Sequence, residues 1–415
     1  MTSSSGSSVL VIGGGVIGHA CALALQARGW RVRLTDPDRE GIAPSWGNAG
    51  HIATEQAQPL ASPATLRSAP RRLYAFGGPL DLRDPLRIAP WVLRYLRACT
   101  PGRYEHGRLA LRGLLAQALP AWRRLADALQ QPQLLREDGH WLCWESAASA
   151  ARGRAAWAGT DIGDTRYHPL NAAHLADLRA TLRAPVSGAI AFSGTAQIAD
   201  PYALAAALRS RFAEGGGQRF HHRIDALQAE GDELFARTDD GQVLRADRVL
   251  VCAGVRSRAL MASLGLHAPL VAERGYHLQW REHDWPQRPP LVFEDRSMIV
   301  TRFDGGLRAA GFVEYAHADS PPDPGKWRRL RQHAAELGLP VRGEPRAWFG
   351  ARPTLPDYLP ALGRCPRHPS LYYAFGHQHL GLTLAAVTGE RMAATIDEGG
   401  EAPELAAFDL RRFAR

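Results

Sequence analysis

Residues 9–18, Val-Leu-Val-Ile-Gly-Gly-Gly-Val-Ile-Gly, constrain this chain more than any other stretch. The unbroken apolar run Val9 to Ile12 reads as a buried parallel strand, and it enters a turn with glycines at 13, 15 and 18. From Val16 to Arg28 apolar residues recur at helical spacing, and Gly29 stands where a C-cap glycine belongs. A second strand, Arg31 to Thr35, delivers Asp36 twenty-three residues after Gly13, near the spacing of a ribose-binding carboxylate in a dinucleotide fold. Gly13 permits the tight turn, Gly15 lets backbone approach a pyrophosphate, and Gly18 allows close helix–strand packing. The helix N-terminus, at Val16 and Ile17, adds unpaired N–H groups and positive potential. A glycine triad alone is also compatible with an ordinary strand-to-helix turn. With both strands, the helix and the acid in place, the stretch reads as the phosphate cradle of a Rossmann-like α/β unit whose dinucleotide the loop itself does not name.

The length of 415 residues and the 45% hydrophobic content allow one large core or two medium ones, and two domains are expected. Cysteines at 21, 99, 143, 252 and 365 include no C-x-x-C pair, so neither a metal site nor a disulfide framework is indicated, which fits a reducing cytoplasm. Met1 to Ser8 lacks the apolar core of a signal peptide, and no stretch approaches the ~18 uninterrupted apolar residues of a spanning helix. The expected location is cytoplasmic. The formal charge of +9 is local: residues 67–124 hold twelve arginines against Asp81, Asp84 and Glu105, and the remainder balances at 38 of each sign. With Trp91, Tyr95, Leu96, Leu115 and Trp122 interleaved, this segment could rest peripherally on the inner face of a membrane and pass electrons to quinone; a solvated helical face or an oligomer contact is the alternative. No nucleic-acid module accompanies the charge.

Further along, Gly41 to Ile52 is too rich in glycine and small polar residues for a regular element, and reads as a cofactor loop at a strand end. Residues 59–184 turn helical, with breaks expected at Pro79, Pro85, Pro90, Pro101, Pro120 and Pro132. Leu111, Leu114, Leu115 and Ala118 can share one helix face, with Trp122 packing from a following turn. Gly139 to Trp144 is extended and belongs to a separate sheet. Asp200 and Pro201 open a helix that ends at Gly215-Gly216-Gly217, and Arg219 to Ile224 is then a strand. A hairpin around Asp239-Asp240-Gly241 leads to the buried strand from Arg248. Alternating stretches from 270 to 346 predict an antiparallel sheet, and Ala347 to Pro360 is extended. Leu371 to Phe375 is a strand ending in Gly376-His377-Gln378-His379-Leu380-Gly381-Leu382-Thr383 before a last helix.

These stretches in this order (VIGGGVIGHACALALQARGWRVRLTD, SWGNAGH, VLVCAGVRS, ERGYHLQW, GARPTLPDYLPALG, GHQHLGLTLAAVTGE) resemble the D-amino-acid oxidase family of FAD-dependent oxidoreductases, most of all its bacterial D-amino-acid dehydrogenase branch. The resemblance covers nearly the whole chain. It implies an FAD-binding domain with a central parallel sheet, from residues 1–80, 185–265 and 346–415, and a substrate domain of antiparallel sheet and helices, from 81–184 and 266–345. It puts Gly13, Gly15, Val16, Ile17 and Gly18 at the pyrophosphate and Asp36 with Pro37 at the adenosine ribose. Ser45, Asn48, Ala49 and Gly50 match the loop beside the flavin, Ile224 would meet the adenine through its backbone, and Ala253 and Gly254 pass the pyrophosphate. Gly376, His377, Leu380, Gly381, Leu382 and Thr383 match the loop under the isoalloxazine. Some relatives attach flavin through a cysteine where this chain has Gly350 and Ala351, so the FAD is expected to be non-covalent.

Arg352 is the candidate carboxylate anchor, because a guanidinium can grip a carboxylate through two parallel hydrogen bonds. A surface ion pair is its plainer reading. Tyr276 is a candidate second contact or a core tyrosine, and His51 and His379 line the pocket or pack structurally. The implied chemistry is oxidation of a D-amino acid, D-proline or hydroxy-D-proline type favoured, by transfer of the Cα hydride to flavin N5, with a quinone or other carrier rather than NAD as acceptor. N-methyl amino acids or glycine as substrates, a nicotinamide-dependent dehydrogenase, and an FAD-carrying subunit without its own substrate site are the alternatives.

Overall fold

The computed structural model describes residues 7–414 apart from 40, 42, 75, 76, 232 and 401. Two sheets organise it. In the first, Ser8–Ile12 is central because it is apolar on both faces: Val9 and Val11 pack with Val16, Ala20 and Leu25 of the helix Val16–Gln26, while Leu10 and Ile12 pack with Leu227, Val249 and Val251. Strand order is Gln218–Phe220, Arg31–Thr35, Ser8–Ile12, Arg248–Val251, Leu371–Phe375, Ala361–Arg364, the last pairing antiparallel and the others parallel. Parallel neighbours need crossovers, and Val16–Gln26, Pro201–Glu214 and Ala385–Glu398 form one covering layer. The antiparallel strands Ile224–Glu230, Glu233–Thr238 and Val243–Arg245 cover the other face. The Asp200 side chain accepts from the Tyr202 and Ala203 N–H groups at 2.7 and 3.0 Å, with Pro201 at the first helical position, as the sequence predicts.

One predicted strand is two. Gln218–Phe220 joins the parallel sheet, whereas Ile224 opens the antiparallel unit opposite Thr238, and the Thr35 hydroxyl pins the corner by donating to the His222 carbonyl at 2.8 Å. The extended pattern runs through this corner, so alternation alone does not register the change of sheet.

The second sheet runs Arg346–Thr354, Val271–Trp280, Gly306–Ala316, Met298–Phe303, Leu291–Phe293, His140–Trp144, Gly188–Ser193, Arg166–Pro169, with Leu80–Leu82 parallel against Gly306–Ala316. One face buries Leu278, Val300 and Leu307 against Leu330, Ala334 and Leu337 of the helix Pro324–Leu337. The other meets the loops of the parallel sheet. Two expected boundaries shift: Arg346–Thr354 and Gly188–Ser193, assigned to the cofactor side by cuts at 346 and 185, pair within this second sheet. Backbone groups must find ladder partners, and that pairing, which composition does not reveal, places both strands.

Between 59 and 184 prolines start helices more often than they break them. Pro63, Pro85 and Pro101 take first positions, and Pro120 is the third residue of Ala118–Ala128, where its missing N–H has no intrahelical partner to lose. Pro90 lies inside Pro85–Ala98 without ending it; the carbonyl it deprives belongs to Leu86, which is open to water. Leu111, Leu114, Leu115, Ala118 and Trp122 are all buried, as their spacing predicts.

Candidate active site

Contacts that exclude side chains shape the Gly13–Gly18 turn. A Cβ on Gly13 (φ +109°) would lie 2.4 Å from the Cys252 carbonyl oxygen, and one on Gly18 would lie 1.8 Å from that of Gly13. The Ser45 hydroxyl accepts the Val16 N–H at 3.0 Å, while among the described residues the Gly15 and Ile17 N–H groups have no partner. The helix end therefore offers donors and positive potential to an anion. The Asp36 carboxylate, before Pro37, accepts from the N–H groups of Gly14 (2.5 Å) and Asp38 (2.7 Å), and burial raises its pKa. Ala253 and Gly254 turn beside Gly13 because their strand is paired in register with Ser8–Ile12. The Ile224 backbone is paired with Thr238 on the meander side of this end of the sheet.

The Ser45–Gly50 loop lies between the two sheets. Asn48 Oδ1 accepts the Gly50 N–H at 2.6 Å. From the second sheet, His277 Nδ1 bonds the Gly47 carbonyl at 2.9 Å, and the Thr301 hydroxyl donates to the Ala49 carbonyl at 2.9 Å. Buried Arg308 donates to the carbonyls of Trp46 (3.3 Å) and Asn48. The Trp348 ring stacks on His277 with centroids 4.8 Å apart and fills the space above Gly47 and Gly350, where added Cβ atoms would come within 2.2 and 2.3 Å of it. Burial, then the Arg308 charge, hold the His277 pKa well below the usual range, and burial brings Arg308 down to about 10. Sequence reasoning missed these four side chains: alternation gives their face of the sheet, but not the loop they meet.

Arg352 projects from that same face. Its Nη1 donates to Glu273 Oε1 at 3.1 Å, and Glu273, 2% exposed, also accepts from the hydroxyls of Thr354 (3.1 Å), Tyr358 (3.2 Å) and Tyr315 (3.3 Å). Trp91 backs this network, donating from Nε1 to the Thr354 carbonyl at 3.2 Å and packing on Tyr95, Tyr315 and Tyr358. Gly275 makes room for the guanidinium, since a Cβ there would lie 2.4 Å from Arg352 Nη2. Among the described residues Glu273 is the one hydrogen-bond partner of Arg352, whose side chain is 31% exposed, so Nη2 and Nε are available to a carboxylate.

Tyr276 does not join Arg352, which corrects its reading as a second substrate contact. Strand residues alternate faces, and Tyr276 lies with Arg274 and Phe349 on the face covered by Pro324–Leu337. Its hydroxyl donates to Glu314 at 3.0 Å and accepts the Asp323 N–H at 3.1 Å, inside a buried network that includes Arg274 and the Lys326 ammonium, 2.6 Å from Glu314.

His51 begins the strand His51–Ile52, with Nε2 at 3.1 Å from Glu55 Oε1 and its ring edge-on to His140 at 4.5 Å. His140 Nδ1 bonds the Thr195 hydroxyl at 3.0 Å. Burial alone would raise the Glu55 pKa, but the His51 and His140 charges and the His51 hydrogen bond outweigh it and bring it to about 2; burial takes His140 down to about 3. An ionised Glu55 offers acceptors only, so the His51 Nε2–H donates to it. No motif singled out Glu55 or His140.

The Gly376–Thr383 loop connects these groups. Gly376 (φ +81°) turns it, and His377 Nε2 bonds Thr388 at 3.0 Å, with burial holding its pKa at about 3. The Thr383 hydroxyl accepts the Ala53 N–H at 2.9 Å, and Trp122 Nε1 donates to the Leu382 and Thr383 carbonyls at 3.0 and 3.1 Å, beyond buried Leu380 and half-buried Gly381. His379 senses three charges, Glu273, Arg352 and Glu55, and burial lowers its pKa to about 4. His51 Nδ1, Glu55 Oε2 and Gln378 Oε1 are buried without partners among the described residues. A flavin dinucleotide fits this set, with bare glycines and free N–H groups at one end and unsatisfied buried polar atoms at the other.

The family model described as "DAO: FAD dependent oxidoreductase" matches residues 8–395. The chain belongs to this family. A D-amino-acid oxidase of Bradyrhizobium diazoefficiens is 32% identical over 98% of this chain and 99% of its own. A D-amino acid dehydrogenase 2 of Pseudomonas aeruginosa is 31% identical over 94% of each. Among solved structures, a glycine oxidase from Geobacillus kaustophilus superimposes with a TM-score of 0.73 at 22% identity over 99% of both chains. An L-proline dehydrogenase from P. horikoshii gives 0.72 at 16%, over 99% of this chain and 98% of its own. The fold is shared with both, and this DAO-family member is an FAD-dependent oxidoreductase.

Proposed function

We propose that this DAO-family enzyme oxidises a D-amino acid, with D-proline or hydroxy-D-proline types favoured, using FAD held without a covalent bond. The parallel-sheet unit holds the cofactor through the Gly13–Gly18 turn, Asp36 and the Ser45–Gly50 and Gly376–Thr383 loops, and the second sheet presents the substrate. Bound FAD supplies the hydride acceptor. Arg352 carries the reading: fixed by Glu273 and facing the loops, it can grip an α-carboxylate through two parallel hydrogen bonds and so orient the neighbouring carbon. His51 and His379 line the same space, and the closed loops around them exclude water. Two relatives sharing about a third of their residues over nearly full length are named for D-amino acids, which supports the D configuration. Electrons then pass to a quinone or similar carrier, with the basic 67–124 segment resting on the membrane that holds it.

A panel of D-, L- and N-methyl amino acids and glycine with a dye acceptor tests the substrate. Turnover of D-proline above its L form is expected; turnover confined to glycine or N-methyl substrates overturns the reading. Stopped-flow reoxidation by quinone and by air tests the acceptor, with quinone the faster.

A further inference from the structure

Among the described residues, five of the six exposed large hydrophobic side chains fall between 82 and 109: Leu82, Leu86, Leu93, Leu96 and Leu109. Leu86 is 90% exposed and Leu93 62%. They sit seven residues apart on the helix Pro85–Ala98, within about 20° of each other around its axis at about 100° per residue. Arg97 shares their arc, Arg87 and Arg94 flank it on one side, and Leu96 flanks it on the other. Ile88, Trp91 and Ala98 face inward. Residues 82–104 hold five arginines against Asp84, and the side chains of Arg87, Arg97 and Arg103 have no ion pair or hydrogen bond among the described residues.

We propose that the outer face of Pro85–Ala98 docks on an anionic lipid surface. This assigns the peripheral contact of the functional reading to one helix, and rests on that reading. A leucine ridge bordered by Arg87, Arg94 and Arg97 matches the boundary between acyl chains and phosphates, where apolar burial and headgroup attraction act together. None of the three arginines has a carboxylate partner among the described residues, where Arg94 donates only to the Pro90 carbonyl. A second copy of the chain meeting this face would oppose arginine to arginine. No helix among the described residues is long and apolar enough to cross a membrane, so the contact lies in the membrane plane. The inner side of the same helix carries Trp91 onto the Thr354 carbonyl and the tyrosines that hold Glu273, so the docked face is the roof of the Arg352 site.

The test is sedimentation of the full FAD-loaded chain with phosphatidylcholine vesicles, with and without phosphatidylglycerol. The variants are Leu86→Ser with Leu93→Ser, and Arg87→Gln with Arg94→Gln and Arg97→Gln. Binding that requires phosphatidylglycerol, falls with salt and drops at least tenfold in each variant is expected, while flavin absorbance and dye-linked turnover stay unchanged. The proposal is overturned by absence of wild-type binding, by binding that both variants retain, or by a leucine variant that instead splits a dimer in light scattering. Turnover of D-amino acids without docking refutes this inference alone, and docking without such turnover refutes the functional reading alone.

Discussion

Glu273 accepts a hydrogen bond from Arg352 Nη1 at 3.1 Å and is itself held by three hydroxyls, so the guanidinium is oriented from below by a carboxylate that cannot move. One edge of the arginine is used in this way, and the other is open to the substrate carboxylate proposed above. Truncating one side of a desolvated charge pair removes on the order of 2–5 kcal/mol, so Arg352→Ala is expected to lower kcat/KM about 100-fold, chiefly through KM, with bound FAD retained. Glu273→Gln keeps an acceptor but loses the charge, and a several-fold rise in KM is expected. Because the two residues touch, a double-mutant cycle should show a coupling of about 1 kcal/mol or more; additive effects would show that Glu273 does not position the anchor.

Gly275→Ala tests the same geometry from the other side. The added Cβ would come 2.4 Å from Arg352 Nη2, the far end of a flexible side chain, so the guanidinium swings away while the strand survives. The expected result is an unchanged melting temperature with a raised KM for amino acids. Unchanged kinetics would place the substrate carboxylate elsewhere.

The parallel sheet was legible because its information is local. Val9–Ile12, the glycines, Asp36 and the Asp200–Pro201 cap each constrain a few neighbouring residues, and each stands where the sequence puts it. The cleft was legible only in part. Arg352 stands out through its proline-rich surroundings, but Glu273, which fixes it, lies 79 residues away and meets it through strand pairing. Tyr276 misleads for the same reason: its motif is plain, yet the pleat sends it to the far face. Glu55, in the loop after His51–Ile52, and His140, in the second sheet, meet across 85 residues, where no spacing rule reaches.

Gly18→Ala separates cofactor binding from substrate binding. Its Cβ would lie 1.8 Å from the Gly13 carbonyl oxygen, a backbone atom that can move only if the turn opens. The purified variant is expected to lose most of its flavin absorbance, whereas Gly275→Ala keeps it. A fully loaded Gly18→Ala protein would remove the turn from the cofactor site.

Acid should loosen the molecule through its histidines. His19, His140 and His377 are buried, and burial lowers their pKa values to about 4, 3 and 3 from 6.5. Between those values and 6.5 the unfolded chain binds more protons than the folded one, so stability rises with pH across that window and falls as pH drops through it. Glu55 adds to this lower down: its pKa, brought from 4.5 to about 2, makes its contribution complete above about pH 4.5 and lost towards pH 2. Each buried imidazole costs about 2 kcal/mol at about pH 5 relative to neutrality. Melting temperature, followed by circular dichroism on the FAD-loaded enzyme, is therefore expected to fall steadily from about pH 7 to about pH 5. His140→Gln, which keeps a polar group near Thr195 but cannot be protonated, should flatten that slope; a wild-type profile already flat to about pH 5 would mean these imidazoles reach solvent.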